Sequence, residues 1–237
     1  MTDLSFFAPC TKGAETVLAA ELRALGMREV RQVRAGVGCK GALADGYRVL
    51  LWSRVASRLL LRLGDVDASS ADALYAGVRE LPWDDHVSAD GTIAVDAGGV
   101  NDALRNTQFT AVRVKDAIAD RFRDRFGRRP SVDTSSPDLR VNVLIRGTKA
   151  TISIDLSGEP LHRRGYRTPG EQVTAPLKET LAATVLAFAG WHGVAGRGGA
   201  FIDPLCGSGT LAVEAALIAA DIAPGHTRRM WGFSRWL

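Results

Sequence analysis

The sequence predicts a mixed α and β chain of more than one module, on three observations. Two alternating runs, Arg140-Val-Asn-Val-Leu-Ile-Arg146 and Ala150-Thr-Ile-Ser-Ile-Asp-Leu156, flank Gly147-Thr-Lys149 and predict a β-hairpin. Ahead of them, Asn106–Phe126 places Ala111, Val114, Ile118 and Phe122 on one helical face. Near the end, the strand-like Ala200-Phe-Ile-Asp203 leads through a glycine loop into an apolar helix. With 237 residues, 46% apolar and 24% charged, the chain has globular composition and enough length to bury a core without disulfides.

Taken in order, Phe6 and Phe7 belong to a short strand ending at Pro9, and Thr11 is placed to cap a helix running to Leu25, closed by Gly26. A strand near Glu29–Ala35 precedes a turn-rich stretch with Gly36, Gly38 and Gly41. A helix over Asp45–Leu60 buries Val49, Trp52, Val55, Ala56 and Leu59, and Leu61–Leu63 is short strand. Ala71–Arg79 is helical, with Pro82 stopping it, and Trp83 fills a core. Thr92–Ala97 alternates as a strand, and Gly127 closes the long helix that follows. After the hairpin, Ser157–Ala175 is polar and glycine-rich and reads as a connector. Pro176 suits the first turn of a helix running to Gly190, and Thr210–Asp221 forms the last helix, stopped by Pro224.

Several function classes are excluded or disfavoured. No run approaches the ~20 apolar residues that a membrane-spanning helix needs, and Asp3 stands where a signal peptide requires positive charge. Cys10, Cys39 and Cys206 are odd in number and scattered, so they point to reduced thiols in a cytoplasm, with no disulfide scaffold and no metal site. His86, His192 and His226 have no companions at ligand spacing.

The net charge of +4 is unevenly distributed. Residues 1–100 carry eleven cations and thirteen anions, residues 101–170 fourteen and eight, and residues 171–237 five of each. Twelve of the fourteen cations in the middle block are Arg, the residue that grips phosphate bidentately and stacks on bases. Such a block is the electrostatic footprint expected of a nucleic-acid binder, although a solvated Arg-rich surface would look the same.

The most informative local feature is the turn Asp203-Pro-Leu-Cys-Gly-Ser-Gly-Thr210 between strand and helix. Its glycines permit sharp turning and close approach to a ligand, and the helix start offers free N–H groups. Gly207-Ser-Gly-Thr-Leu-Ala212 also fits a dinucleotide pattern, G-x-G-x-x-A. The Asp-Pro opening argues against that reading, because a carboxylate there repels pyrophosphate. The ribose-binding acid expected ~20 residues on is also missing, since nothing acidic follows Asp221. A carboxylate with glycines suits S-adenosylmethionine, which carries an ammonium and a sulfonium.

This turn resembles the cofactor motif of amino-methyltransferases that modify RNA bases. Upstream, Leu51-Trp-Ser-Arg-Val-Ala-Ser-Arg58, Asn101-Asp-Ala-Leu-Arg-Asn106, Val114-Lys-Asp-Ala-Ile118, Pro137-Asp-Leu-Arg-Val-Asn-Val143 and Asp155-Leu-Ser-Gly-Glu-Pro-Leu-His-Arg-Arg-Gly-Tyr-Arg167 resemble the bacterial 23S rRNA guanine-N2-methyltransferases. Ala175-Pro-Leu-Lys-Glu179 and Trp231-Gly-Phe-Ser234 extend the likeness over essentially the whole chain. The resemblance implies an α+β fold: a ferredoxin-like N-terminal subdomain over 1–64 and a THUMP RNA-binding domain over 65–157. A linker over 158–175 and the start of a Rossmann-like methyltransferase domain over 176–237 would follow.

It also implies roles. Asp203, Pro204, Gly207, Gly209 and Thr210 would hold S-adenosylmethionine, with Ala175, Pro176, Lys178 and Glu179 lining the other side of the pocket. The partner would be 23S rRNA or its assembly intermediate. Arg105, Lys115, Arg128, Arg129 and Arg140 would contact it, as would the cluster His162, Arg163, Arg164, Tyr166 and Arg167, where one stacking aromatic sits among cations.

The family's Asn-Pro-Pro-Tyr segment, which would hold the target amine, does not occur in these 237 residues, so the catalytic residues are expected downstream. That segment matters because the guanine exocyclic nitrogen has a delocalised lone pair and needs acceptors to orient it. The alternative from another class is a stand-alone, non-catalytic RNA-binding module. The 237-residue chain by itself is expected to transfer no label from radioactive S-adenosylmethionine to rRNA. Detectable transfer by the purified chain overturns this expectation.

Overall fold

The computed structural model describes residues 3–167 and 176–237. The chain divides into two compact units, Met1–Leu59 with Glu159–Arg229, and Leu60–Gly158 with Met230–Leu237.

The first unit begins with β1 (Leu4–Pro9), α1 (Glu15–Ala24), β2 (Arg28–Val33), β3 (Gly36–Gly41) and α2 (Leu43–Trp52). Its strands run in the order β2–β3–β1, all antiparallel, with Leu4 opposite Gly41 and Pro9 opposite Gly36. Alternation sends Phe6 and Ala8 of β1, with Val37 and Cys39 of β3, to one side, where they are buried with Leu18, Leu22, Val49 and Leu50 of the helices. Burial pushes the Cys39 thiol up to about 12, and Cys10, buried and beside Glu15, up to about 11.

Two expectations fail here for identifiable reasons. The glycine-rich stretch read as turn is strand β3, because Val37 and Cys39 alternate into the core and outweigh the low strand preference of glycine. A β-carbon at Gly36 would collide with the Phe7 ring and the Ala8 carbonyl, so that position belongs to glycine. Nor does Thr11 cap α1. The N-cap is Ala14, with no side-chain cap, and the Glu15 carboxylate accepts from the amides of Gly13 (2.7 Å) and Ala35 (2.8 Å) instead. Those hydrogen bonds hold its carboxyl below the usual carboxylate range. Helix α2 ends at Trp52, well short of Leu60.

The second unit contains β4 (Leu60–Asp67), α3 (Ala71–Arg79), a short turn of 3-10 helix at Trp83–Asp85, β5 (Thr92–Gly98), α4 (Thr107–Phe126), β6 (Ser131–Val132), β7 (Leu139–Arg146) and β8 (Lys149–Asp155). Its strand order is β4–β8–β7–β5–β6. The hairpin forms as expected: Val141 faces Ile154, Val143 faces Ile152, and Ile145 faces Ala150, all of them buried. Strand β5 runs parallel to β7, and α4 makes the crossover between them. Asn106 caps α4 by accepting from the Phe109 amide at 3.0 Å, and Gly127 ends it with φ of 69°. Trp83 is fully buried and its indole donates to the Val78 carbonyl at 2.7 Å. The segment 230–237 packs on this unit. Trp236 stacks on His86 and donates to its Nδ1 at 3.1 Å, and Arg235 pairs with Asp138.

The remaining elements, α5 (Glu179–Phe188), α6 (Trp191–Ala195) and α7 (Thr210–Ala219), belong to the first unit. Leu186, Trp191, Ala215 and Ile218 form their shared core, with Phe201 and Leu211 against it. No strand forms at Ala200–Asp203: a strand exists only by pairing, and none of the described residues pairs with this run. Ile202 is 84% exposed and Leu205 92%.

Gly232 lies with its α-carbon against the backbone of Asp155, Leu156 and Gly158, where a β-carbon would overlap main-chain atoms. Gly232→Ala should lower unfolding free energy by about 1–3 kcal/mol. Urea denaturation measures this, and an unchanged midpoint would show that segment 230–237 is not packed as described.

Candidate functional site

The loop Asp203–Gly209 runs into α7. Gly207 and Gly209 take φ of 53° and 73°, in the left-handed region, and a β-carbon at either would meet none of the described residues within 4 Å. They are glycine for their backbone angle and leave the space above the loop clear. The Gly209 amide donates to the Cys206 carbonyl at 2.8 Å, closing the turn. At its other end, Asp203 accepts from the Leu205 amide through Oδ1 (3.1 Å), while Oδ2 is buried and has no hydrogen-bond partner among the described residues. A buried carboxylate oxygen without a donor is costly; Glu214 Oε2 and Arg54 Nη1 share that condition, but the Asp203 oxygen has it beside a glycine loop, where a ligand's donor would satisfy it.

A cationic group offered to Asp203 would satisfy that oxygen. The free amides at the start of α7, aided by the helix dipole, suit a polar or anionic group. The cofactor expected from the sequence, S-adenosylmethionine, therefore fits the residues present. Thr210 is buried and its hydroxyl is engaged with Ser208 at 3.1 Å, so it supports the loop.

Around this loop the structure reassigns one expected RNA contact. Arg167 donates to Glu179 Oε1 (2.6 Å), to the Leu177 carbonyl (2.7 Å) and to the Thr210 hydroxyl (3.0 Å). It thus joins the start of α5 to the start of α7, and its guanidinium is spent on protein groups. Glu179 is buried in this contact, Lys178 and Pro176 are exposed beside it, and Ala175 lies outside the described residues. Pro204 is exposed in the loop.

The rest of the expected RNA cluster divides. Arg164 is only 3% exposed: it donates to the carbonyls of Leu161 (2.8 Å) and Arg54 (2.7 Å) and pairs with Glu214 (3.5 Å). A guanidinium so enclosed cannot reach a phosphate, which corrects its expected role. Tyr166 donates to Glu214 at 3.1 Å and is likewise turned inward, and burial with the nearby Glu214 raises its phenol well above the usual range. Arg163 is exposed and paired with Glu159, and His162 is half-buried, with burial lowering its pKa.

In the second unit, Arg105, Arg128 and Arg129 are exposed, Arg128 pairing with Asp90. Lys115 pairs with Asp116, and Arg140 with Asp96 at 2.9 Å. Much of the remaining positive charge is matched inside the unit. Arg121 and Arg125 both reach Asp84, Arg113 reaches Asp72, Arg79 pairs with Asp124, and Arg123 pairs with Asp120. Acids from residues 72–96 thus meet arginines from 113–140, so a charge excess read along the chain overstates the excess in space.

Sequence reasoning missed the half-buried Glu21 and the buried Arg54 and Glu214, charged residues of the first unit. Glu21 accepts from the Ser53 hydroxyl (2.6 Å) and the Arg54 amide (2.7 Å). Glu214 was detectable in principle: a lone carboxylate in the apolar run Thr-Leu-Ala-Val-Glu-Ala-Ala-Leu-Ile-Ala requires a buried partner.

The description "RlmL ferredoxin-like domain" matches residues 5–60, "THUMP domain" residues 68–155, and "RMKL-like, methyltransferase domain" residues 164–236. A protein of Syntrophotalea carbinolica named "Ribosomal RNA large subunit methyltransferase K/L" is 54% identical over 234 residues, covering 99% of this chain and 32% of that protein. One of the same name from Magnetococcus marinus is 54% identical over 231 residues, covering 98% of this chain and 32% of that protein. The chain therefore spans about a third of the length of the curated relatives it matches. Among solved structures, a Listeria monocytogenes protein described as a "predicted N6-adenine-specific DNA methylase" superposes with a TM-score of 0.86 at 33% identity, over 100% of this chain and 60% of that one. A structure described as "SMU.472, a putative methyltransferase complexed with SAH" superposes with a TM-score of 0.83 at 29% identity, again over 100% and 60%.

Two substitutions distinguish a binding carboxylate from a structural one. Glu179→Ala leaves Arg167 without its anion and should cost about 1–3 kcal/mol of stability. Asp203→Ala removes an unpartnered oxygen and should stay within about 1 kcal/mol of the parent chain. Chemical denaturation of both compares them, and a large loss for Asp203→Ala would make that side chain structural.

Proposed function

We propose, for a chain that belongs to the ribosomal RNA large subunit methyltransferase K/L family, that it is the RNA-recognising and donor-binding portion of an S-adenosylmethionine-dependent 23S rRNA guanine-N2-methyltransferase acting in the cytoplasm. The observation that carries the donor half is the unpartnered Asp203 oxygen beside a loop whose two glycines leave open space. The SAH complex of the structural neighbour SMU.472 supports it. The RNA half is supported by the match to a THUMP domain and by the exposed Arg105, Arg128 and Arg129.

When bound, S-adenosylmethionine supplies a methyl group carried on a positively charged sulfur. Asp203 offers its free carboxylate oxygen to a cationic group, and Gly207 and Gly209 keep side chains out of the approach. Arg167, held by Glu179 and Thr210, fixes the entrance segment Pro176–Glu179 against the loop. Lys115 and Arg140 join the exposed arginines of their unit in gripping rRNA, with His162 and Arg163 contributing from the first unit. A guanine taken out of its stack would then be presented to the methyl donor held at this loop. Residues 1–64, 65–157 and 176–237 serve as the ferredoxin-like, THUMP and donor-binding parts.

Titration calorimetry with S-adenosylmethionine tests the donor half. Binding by the parent chain and at least about tenfold weaker binding by Asp203→Ala are expected, as for loss of a charge-assisted contact. No binding by the parent chain removes the donor assignment. For RNA, Arg128→Ala/Arg129→Ala should weaken binding to 23S rRNA fragments and flatten the salt dependence by about two phosphate contacts. An unchanged slope removes those two residues from the interface.

A further inference from the structure

We propose that Arg54, Arg164 and Glu214 are positioning residues for the Asp203–Thr210 loop, and that the ferredoxin-like part of the chain acts through them to set the donor site. This rests on the reading of that loop as the methyl-donor site.

Helix α7 carries the loop at its N-terminus and is held at three levels by arginines from outside it. At its first residue, Thr210 accepts from Arg167 at 3.0 Å. One turn on, Glu214 accepts from Arg164 (3.5 Å) and from the Tyr166 hydroxyl (3.1 Å). At its far end, Arg54 donates to the carbonyl of Ile222, just past the helix (2.8 Å), and to that of Leu217 (3.4 Å), which also accepts from the Ile222 amide at 2.9 Å. Spacing of four and then about three to four residues puts 210, 214 and 217 along one side of the helix.

The two inner arginines are anchored in turn on the end of α2. Arg164 donates to the carbonyls of Ser53 (3.4 Å) and Arg54 (2.7 Å), while Glu21 of α1 takes the amide of Arg54 (2.7 Å) and the hydroxyl of Ser53 (2.6 Å). The α1–α2 pair and α7 are therefore linked by directional bonds. On its apolar side, Ala215 and Ile218 of α7 pack with Leu186 and Trp191, and such contacts are non-directional. They hold the helix down but do not fix its rotation or its slide along its axis. Bonds at defined atoms do both. Nothing in this network touches the space above Gly207 and Gly209, so these residues act on the donor through the helix that bears the loop.

Removing one charge would strand its partner and could unfold the chain, so the test replaces the cluster with apolar groups of similar size. Such swaps of buried ion pairs are often neutral or stabilising. Arg164→Met/Tyr166→Phe/Glu214→Leu in the 237-residue chain keeps the volume and removes the directional bonds. Two readouts follow: S-adenosylmethionine affinity by calorimetry, and hydrogen exchange of the amides from Gly207 to Val213. The positioning role predicts a folded chain with an unchanged or raised melting temperature, affinity weakened by about ten- to a hundredfold, and faster exchange over that segment. RNA affinity should stay within about twofold, since no exposed cation is altered. A folded variant with unchanged exchange overturns the proposal. If the parent chain binds no S-adenosylmethionine, the donor reading fails instead, and exchange alone decides whether the network positions the loop. Should the triple variant not fold, Glu214→Gln keeps the acceptor for Tyr166 and Arg164 without the charge. It should give the same pattern at smaller amplitude, and unchanged exchange in it again overturns the proposal.

Discussion

A carboxylate shut away from water must be met by donors or it forces the structure apart, and Glu214 is completely buried in the middle of an apolar helix. Its partners, Arg164 and Tyr166, come from a segment fifty residues upstream in sequence, and Arg164 in turn closes on the end of α2. Burial favours the neutral form of Glu214 and of Glu21, and disfavours the charged form of Arg54, while the opposite charges nearby oppose those shifts. Bonds from Arg164 to the carbonyls of Ser53 and Arg54, and from Arg54 to those of Leu217 and Ile222, tie residues 1–59 to residues 159–229 within the first unit.

The same logic separates the two kinds of arginine. Those of the second unit lie mostly on exposed faces, and many have an acid within reach. Exposed pairs of this sort contribute little to stability and exchange readily for another anion. Arg54 and Arg164 of the first unit are instead enclosed, donating to main-chain carbonyls, and cannot be recruited without unfolding their surroundings. A polyanion would therefore compete for the first group and leave the second untouched.

Legibility in the sequence followed the range of the interactions. The hairpin β7–β8, the long helix α4 with its Asn106 cap and Gly127 stop, and the glycine loop before α7 are specified by neighbours within a few residues, and they were readable. Strand β3 was not, because its glycines argue for a turn locally while Val37 and Cys39 are held by pairing on both sides. The run Ala200–Asp203 has strand composition, yet strand is a property of a pair and composition cannot supply the partner. Within the candidate site, Asp203, Gly207 and Gly209 were readable as a motif. Arg164, Tyr166 and Arg167 were misread because adjacency in sequence looked like a surface cluster, whereas two of the three turn inward to Glu214 and the third to Glu179.

Segment 230–237 matches the methyltransferase description but belongs physically to the unit formed by residues 60–158. The peptide therefore passes between its two units three times, near residues 59, 158 and 229. The unit built from residues 60–158 is thus completed by a stretch encoded far downstream, with Gly232 and Trp236 seated upon it. Grafting it onto another enzyme would require transplanting two separate pieces of sequence.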